Sequence, residues 1–163
     1  MKYKIMPALF FIIPTTFIQA KTIEAPTLSL CESKESIIFS CSLKNKKLLS
    51  ICTKNAKAEY RFGTNKKLEL ILPKDKNDQI TYNTLMYSGG GGVYVRFKHV
   101  NTDYIVFSKL VKGEGESAGV LIQEKGKKSF EIHCSLKSNI DISSLENLRL
   151  NKELSDTDPL IEE

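Results

Sequence analysis

Apolar and polar residues alternate along most of the chain beyond residue 36, in short runs separated by polar segments. The longest run, residues 93–98, follows four consecutive glycines: valine and phenylalanine occupy one set of alternate positions, and tyrosine, arginine and lysine the other. Because successive side chains of a strand point to opposite faces, this run predicts a strand with one dry and one wet face. Tyr94, Arg96 and Lys98 form the predicted wet face.

Four pairs of such runs follow one another, joined by Asn-, Gly- and Lys-rich turns at 44–47, 63–66, 101–102 and 124–127. About eight short strands at regular spacing are typical of an antiparallel sandwich or barrel. We therefore predict an all-β fold, a single antiparallel meander of about eight strands that is closed or nearly closed. Only residues 143–150 favour a short helix, with Ser143 or Ser144 as its cap.

The N-terminal residues have the pattern of a secretory signal peptide. Lys2 and Lys4 precede an apolar stretch over 6–18, and Ala20 is the small residue that signal peptidase requires at its cleavage site. No later stretch is long enough to span a membrane as a helix. The predicted organisation is a signal peptide over 1–20, a β domain over 21–140 and a mostly irregular acidic tail over 141–163.

Charge is distributed unevenly along the chain. The whole sequence carries a net charge of +5, but the tail from residue 141 onward is −5, and the body over 21–140 is +8. A basic body suits anionic partners such as an envelope polymer, lipid headgroups or an acidic protein, although lysines also keep turns soluble. A nucleic-acid partner is not expected for an exported chain without a binding motif.

The four cysteines predict two disulfides in an oxidising compartment. They are Cys31, Cys41, Cys52 and Cys134. Spacing alone leaves all three pairings open. The gaps between the cysteines exclude a paired Cys-x-x-Cys zinc site, and we predict no metal or cofactor.

The sequence contains no recognisable catalytic motif. His99 and His133 are the only histidines, and His133 points away from the neighbouring Cys134 in an extended strand. We interpret both as surface strand residues rather than bases and predict a non-enzymatic protein.

The glycine run and two arginines provide candidate contact residues. A strand follows residues 89–92, so the run is not a phosphate-binding loop; it is either a strand start without room for side chains or a loop entering another protein's cleft. Arg61 and Arg96 stand in mid-strand in a chain that uses lysine almost everywhere and arginine elsewhere only at Arg149, which suggests use of the planar guanidinium. Each either pairs internally, with a carboxylate such as Glu59, Glu69 or Glu131, or binds a partner. The candidate binding residues are Ser88, Gly89, Gly90, Gly91, Gly92, Tyr94, Arg96, Lys98, Tyr104 and Arg61.

Two resemblances add to this interpretation. Phe39-Ser40-Cys41, Ser50-Ile51-Cys52, the 60–63 step Tyr-Arg-Phe-Gly, the glycine-rich hairpin and the closing Cys134 resemble a group of small exported proteins of Gram-negative bacteria without assigned activity. That resemblance implies a periplasmic or secreted β protein and supplies no catalytic residues.

The second resemblance is local. Residues 88–94 resemble the Ser-Gly-x-Gly-x-x-Tyr loop of the bacterial c-type lysozyme inhibitors, whose loop enters the lysozyme cleft; Ser88 and Tyr94 occupy the matching positions. This chain departs from those inhibitors in having no tryptophan and a different cysteine layout.

These observations predict a non-enzymatic periplasmic or secreted binding or inhibitory module that plugs a partner's cleft with its glycine-rich loop. The expected partner is a hydrolase. The alternatives are a periplasmic immunity protein against a toxin and an envelope factor that binds anionic polymer.

Overall fold

The computed structural model describes residues 28–136, 138–148, 150–153 and 159. The predicted signal peptide and tail residues 154–158 and 160–163 lie outside this part of the chain. The described residues are mostly β, as the alternating pattern predicts, with one short helix.

The strands form two sheets. The first has the order β1-β2-β3-β4 and the second the order β10-β5-β6-β7-β8-β9. The first sheet contains β1 Ser36–Ser42, β2 Leu48–Lys54, β3 Lys57–Thr64 and β4 Lys67–Leu72. The second contains β5 Gln79–Tyr87, β6 Gly90–His99, β7 Thr102–Val111, β8 Gly115–Glu124, β9 Phe130–His133 and the two-residue β10 Asn151–Lys152. All neighbours are antiparallel except β10 and β5.

The sheets do not close into a barrel, so the expectation of closure is corrected. β4 and β5 belong to different sheets and are connected by residues 73–78. Pro73 follows directly after β4, and proline cannot donate to a strand ladder. At the other side the sheets meet through one isolated bridge between Leu43 and Cys134 and a hydrogen bond from the Ser135 amide to the Ser42 carbonyl, 2.7 Å.

The main core lies between the two sheets. Its largest fully buried side chains include Phe39, Leu49, Tyr60 and Phe97, and the Tyr60 ring lies 5.6 Å from that of Phe97. Phe39, Leu49 and Tyr60 come from β1, β2 and β3 of the first sheet, and Phe97 comes from β6 of the second, so both sheets contribute to this core.

The helix α1, Ile142–Asn147, covers one edge of this core with Leu145. Its cap is Asp141, not Ser143 or Ser144, which corrects the predicted start. The Asp141 carboxylate accepts hydrogen bonds from both serine amides and both serine hydroxyls. These bonds hold the pKa of Asp141 below its usual value despite some burial.

The six-stranded sheet is buried on its second face as well. A separate apolar cluster there consists of Leu85, Tyr94, Ile105, Phe107 and Leu121. Tyr94 is only 3% exposed, so its predicted place on a wet face is wrong. The explanation lies in β7: isoleucine, valine and phenylalanine follow one another over 105–107, a continuous apolar run that is typical of a strand buried on both faces.

Both predicted disulfides are confirmed, and of the three open pairings the structure has Cys31–Cys52 and Cys41–Cys134. The first attaches the lead-in segment 28–35 to β2, and the second joins the two sheets. Two disulfides indicate an oxidising compartment outside the cytoplasm. Among the described residues, no helix has the length and apolar character needed to cross a membrane.

Candidate functional site

The β5–β6 and β7–β8 turns lie side by side at one end of the six-stranded sheet. β5 turns into β6 at Ser88 and Gly89, and Gly89 has φ 90°, which favours glycine. The Lys112 amide of the neighbouring turn donates to the Gly89 carbonyl over 2.9 Å. We call this end, with Met86, Ser88, Gly89, Gly91, Leu110 and Lys112, the hairpin tip.

The hairpin tip carries an exposed apolar row. Met86 lies opposite Gly91, which in turn lies opposite Leu110. Met86 is 87% exposed and Leu110 51%. Strand alternation puts both on the face that carries the core residues Val93 and Val95, so the first sheet does not cover this end.

Most of the glycine run belongs to a strand rather than to a loop. Gly90 and Gly91 start β6 and are paired on both sides, and Gly92 is buried within it, so the predicted loop over 88–92 is limited to Ser88 and Gly89. A Cβ on Gly90 would lie 1.9 Å from the Leu110 carbonyl oxygen. The absence of side chains therefore allows β6 and β7 to approach.

We expect Gly90→Ala to lower the free energy of unfolding by about 2 kcal/mol, because the added methyl group forces β6 and β7 apart. Urea unfolding followed by circular dichroism measures the change. Ser88→Ala in the exposed turn is the control and should change stability by less than about 0.5 kcal/mol. Equal stability of Gly90→Ala and Ser88→Ala would contradict the steric role of Gly90.

Arg61 is an internal anchor for the N-terminal lead-in segment. Its guanidinium forms two bonds to Glu35, 2.7 and 2.8 Å, two to Glu59 Oε2, 2.7 and 3.2 Å, and one to the Leu30 carbonyl, 3.0 Å. Only 8% of the Arg61 side chain and 6% of that of Glu35 are exposed. Of the carboxylates predicted as internal partners, Glu59 is confirmed.

Arg96 has the corresponding role for the C-terminal segment. It contacts Asp103 at 2.7 Å and Glu153 at 2.8 Å, and Thr81 also donates to Glu153. The Glu153 amide donates to the Tyr82 carbonyl, 2.8 Å, which continues the pairing of β10 with β5. The other predicted carboxylates bind elsewhere: Glu69 pairs with Lys47 and Glu131 with His133.

The two remaining candidate binding residues, Lys98 and Tyr104, lie away from the hairpin tip. Lys98 is exposed, but it lies at the opposite end of β6, about 26 Å along the strand from Gly90. Tyr104 packs its ring 5.7 Å from that of Tyr60, and burial together with the charge of Glu124 raises its pKa. The predicted contact residues therefore do not form one continuous surface.

Sequence reasoning missed a polar cluster at the end that contains Lys98. His99 Nδ1 lies 2.9 Å from Asp78 Oδ1 and 3.9 Å from Asp75 Oδ2. An open depression of about 620 Å³ beside it is lined by both aspartates and by Lys76, Lys98 and Val100. Gln79 is paired with Lys98, and continuing this register by one residue brings Asp78 opposite His99.

The Asp78 carboxylate is held in place by backbone groups. Its Oδ2 accepts from the Lys74 amide, 2.7 Å, and from the Asp75 amide, 3.2 Å. Burial raises the pKa of Asp78, but the bonds from His99 and the two amides outweigh it and keep the pKa below its usual value.

The fold and the site define a disulfide-bonded β-sandwich domain with an exposed apolar tip at one end and a histidine–aspartate cluster at the other. No protein-family profile, curated protein or solved structure significantly matches the chain.

Proposed function

We propose that the chain is a non-enzymatic binding module, periplasmic or secreted, that inserts its hairpin tip into a cleft of another protein. The observation that carries the proposal is the row Met86–Gly91–Leu110, in which two exposed apolar side chains lie on either side of a glycine. Exposed methionine is adaptable and is common at protein-binding surfaces. The predicted signal peptide and the two disulfides support export.

The shape of the tip suits insertion. Its leading edge is a turn of two small residues, Ser88 and Gly89, and the hydrogen bond from Lys112 ties this turn to its neighbour. A tip that is already ordered loses little conformational entropy on binding. The exposed Lys112 adds a positive charge that steers the tip towards an acidic cleft.

A cleft-bearing hydrolase is the partner we infer first, with lysozymes of the c type as the case to test. The support is the local resemblance of residues 88–94 to the inhibitory loop of that family. Tyr94 is buried, so on this proposal it supports the tip from the second face of the sheet and makes no contact with the partner.

The test compares binding of wild type and a Met86→Ser, Leu110→Ser double variant. We expect the double variant to lose at least about tenfold in affinity, since two exposed apolar side chains are removed from the contact. Binding and inhibition of c-type lysozyme are measured first, followed by recovery of partners from periplasmic extract. The control is Phe130→Ser, Leu136→Ser, whose side chains are 56% and 74% exposed outside the tip.

Two results would contradict the proposal. Equal recovery of every partner by wild type and the tip variant would exclude the tip as the contact. Binding that weakens steeply with salt and ignores both pairs of substitutions would instead favour an anionic polymer bound by the basic body.

A further inference from the structure

We propose that Asp75, Asp78 and His99 bind one divalent transition-metal ion, Zn²⁺ in the first instance. The three side chains offer two carboxylate oxygens and one imidazole nitrogen, all within 4.8 Å of one another. This cluster lies at the opposite end of β6 from the hairpin tip, so it is independent of the proposed function.

The spacing of the three atoms suits a shared ion. Ligands about 2.1 Å from a metal are about 3.0 Å apart at a right angle and about 3.4 Å apart at a tetrahedral angle. His99 Nδ1 lies 2.9 Å from Asp78 Oδ1 and 3.9 Å from Asp75 Oδ2. The Asp75 side chain is 65% exposed, so it can rotate by the few tenths of an ångström that the longer separation requires.

Two of the three ligands are already oriented. The amides of Lys74 and Asp75 both bind Asp78 Oδ2, and His99 Nδ1 lies 2.9 Å from Asp78 Oδ1 and 3.1 Å from Oδ2. His99 is the last residue of β6 and is held opposite the loop by the Gln79–Lys98 pairing. Outer hydrogen bonds of this kind fix a ligand's direction and strengthen metal binding.

The donor set selects the class of metal. An imidazole nitrogen suits Zn²⁺ and its transition-metal neighbours, whereas Mg²⁺ and Ca²⁺ prefer oxygen ligands alone. Three protein ligands beside an open depression leave room for water or a small anion as a further ligand. Lys76 and Lys98 line the same depression, and their positive charges limit the affinity for a cation.

The experiment is equilibrium dialysis of the tag-free full chain, with both disulfides formed, against Zn²⁺. Asp75→Asn tests the exposed ligand, whose side chain forms no hydrogen bond within the described residues. His99→Gln removes the imidazole. The matched control is His133→Gln, because His133 Nε2 also lies beside a carboxylate, 3.1 Å from Glu131. Visible absorption of bound Co²⁺ reports the nitrogen and oxygen donors directly.

We expect one saturable Zn²⁺ per wild-type chain that an excess of Mg²⁺ does not displace. Asp75→Asn should weaken binding at least about tenfold, His99→Gln should abolish it, and His133→Gln should leave it unchanged. Absence of saturable binding in wild type would overturn the proposal. So would wild-type affinity in both cluster variants, or equal loss in the His133 control.

Discussion

Removal of the Cys41–Cys134 disulfide is expected to lower the free energy of unfolding by about 4.7 kcal/mol. The two cysteines are 93 residues apart in the sequence, so the disulfide closes a loop that spans both sheets. Closing such a loop restricts the unfolded chain, and the entropy removed grows with loop length. The Cys41→Ala, Cys134→Ala double variant tests this value by urea unfolding.

The second disulfide provides the matched comparison. Cys31 and Cys52 are 21 residues apart, and the same loop-closure relation gives about 3.4 kcal/mol. The Cys31→Ala, Cys52→Ala variant should therefore be the more stable of the two double variants by about 1.3 kcal/mol. The reverse order would show that attachment of the lead-in segment matters more than the connection between the sheets.

Arg61→Ala should produce the next largest loss, about 3 kcal/mol. The substitution leaves the Glu35 carboxylate in a site where only 6% of its side chain is exposed, without its two guanidinium bonds. It also removes the donor to the Leu30 carbonyl. Breaking a buried ion pair from one side is costly because an uncompensated charge remains. Urea unfolding monitored by circular dichroism measures the loss.

Arg96→Ala is the control for Arg61. The Arg96 side chain is 23% exposed, and its partners Asp103 and Glu153 are 22% and 24% exposed, so water compensates more of the lost contacts. A loss of about 1 kcal/mol is expected. Equal losses for the two arginines would contradict the difference in burial on which this prediction depends.

The pH dependence of the Arg61 variant gives a second measurement. Burial raises the pKa of Glu35. The hydrogen bonds from Arg61 and Glu32 and the charge of Arg61 lower it by more than burial raises it, so the pKa lies below its usual 4.5. A carboxyl with a lowered pKa stabilises the fold above its unfolded-state pKa and loses this contribution as pH falls through the folded-state value. The stability difference between wild type and Arg61→Ala should therefore narrow on acidification below about pH 4.5.

The sequence pattern predicts where the strands lie, but it does not show whether one or both faces of a strand are buried. Alternation predicted the inward row of β6, and the core confirms Val95 and Phe97. The same alternation predicts that the outward row, Tyr94, Arg96 and Lys98, faces solvent, because these side chains are amphipathic or charged. Tyr94 instead packs against Phe107 and its neighbours, since β7 contributes apolar residues to both faces.

The candidate site illustrates the same limit. The glycine run indicates the position of the hairpin tip. The two mid-strand arginines, Arg61 and Arg96, are the residues that anchor the N- and C-terminal segments. Their partners Glu35 and Glu153 lie 26 and 57 residues away in the sequence, so no local pattern could identify them. For His99 the sequence predicts only a surface strand position. Asp75 and Asp78 precede it by more than 20 residues in the sequence and become its neighbours only through the β5–β6 register.

By itself, the sequence determined the β class, the meander of hairpins and the presence of two disulfides, because alternation, turn chemistry and cysteine number are local or compositional properties. The tertiary structure alone decided the cysteine pairing, the opening between β4 and β5, the burial of Tyr94 and the meeting of His99 with Asp75 and Asp78. Each of these depends on which distant strands become neighbours and in which register, and that choice is made by packing over the whole domain rather than by any one segment.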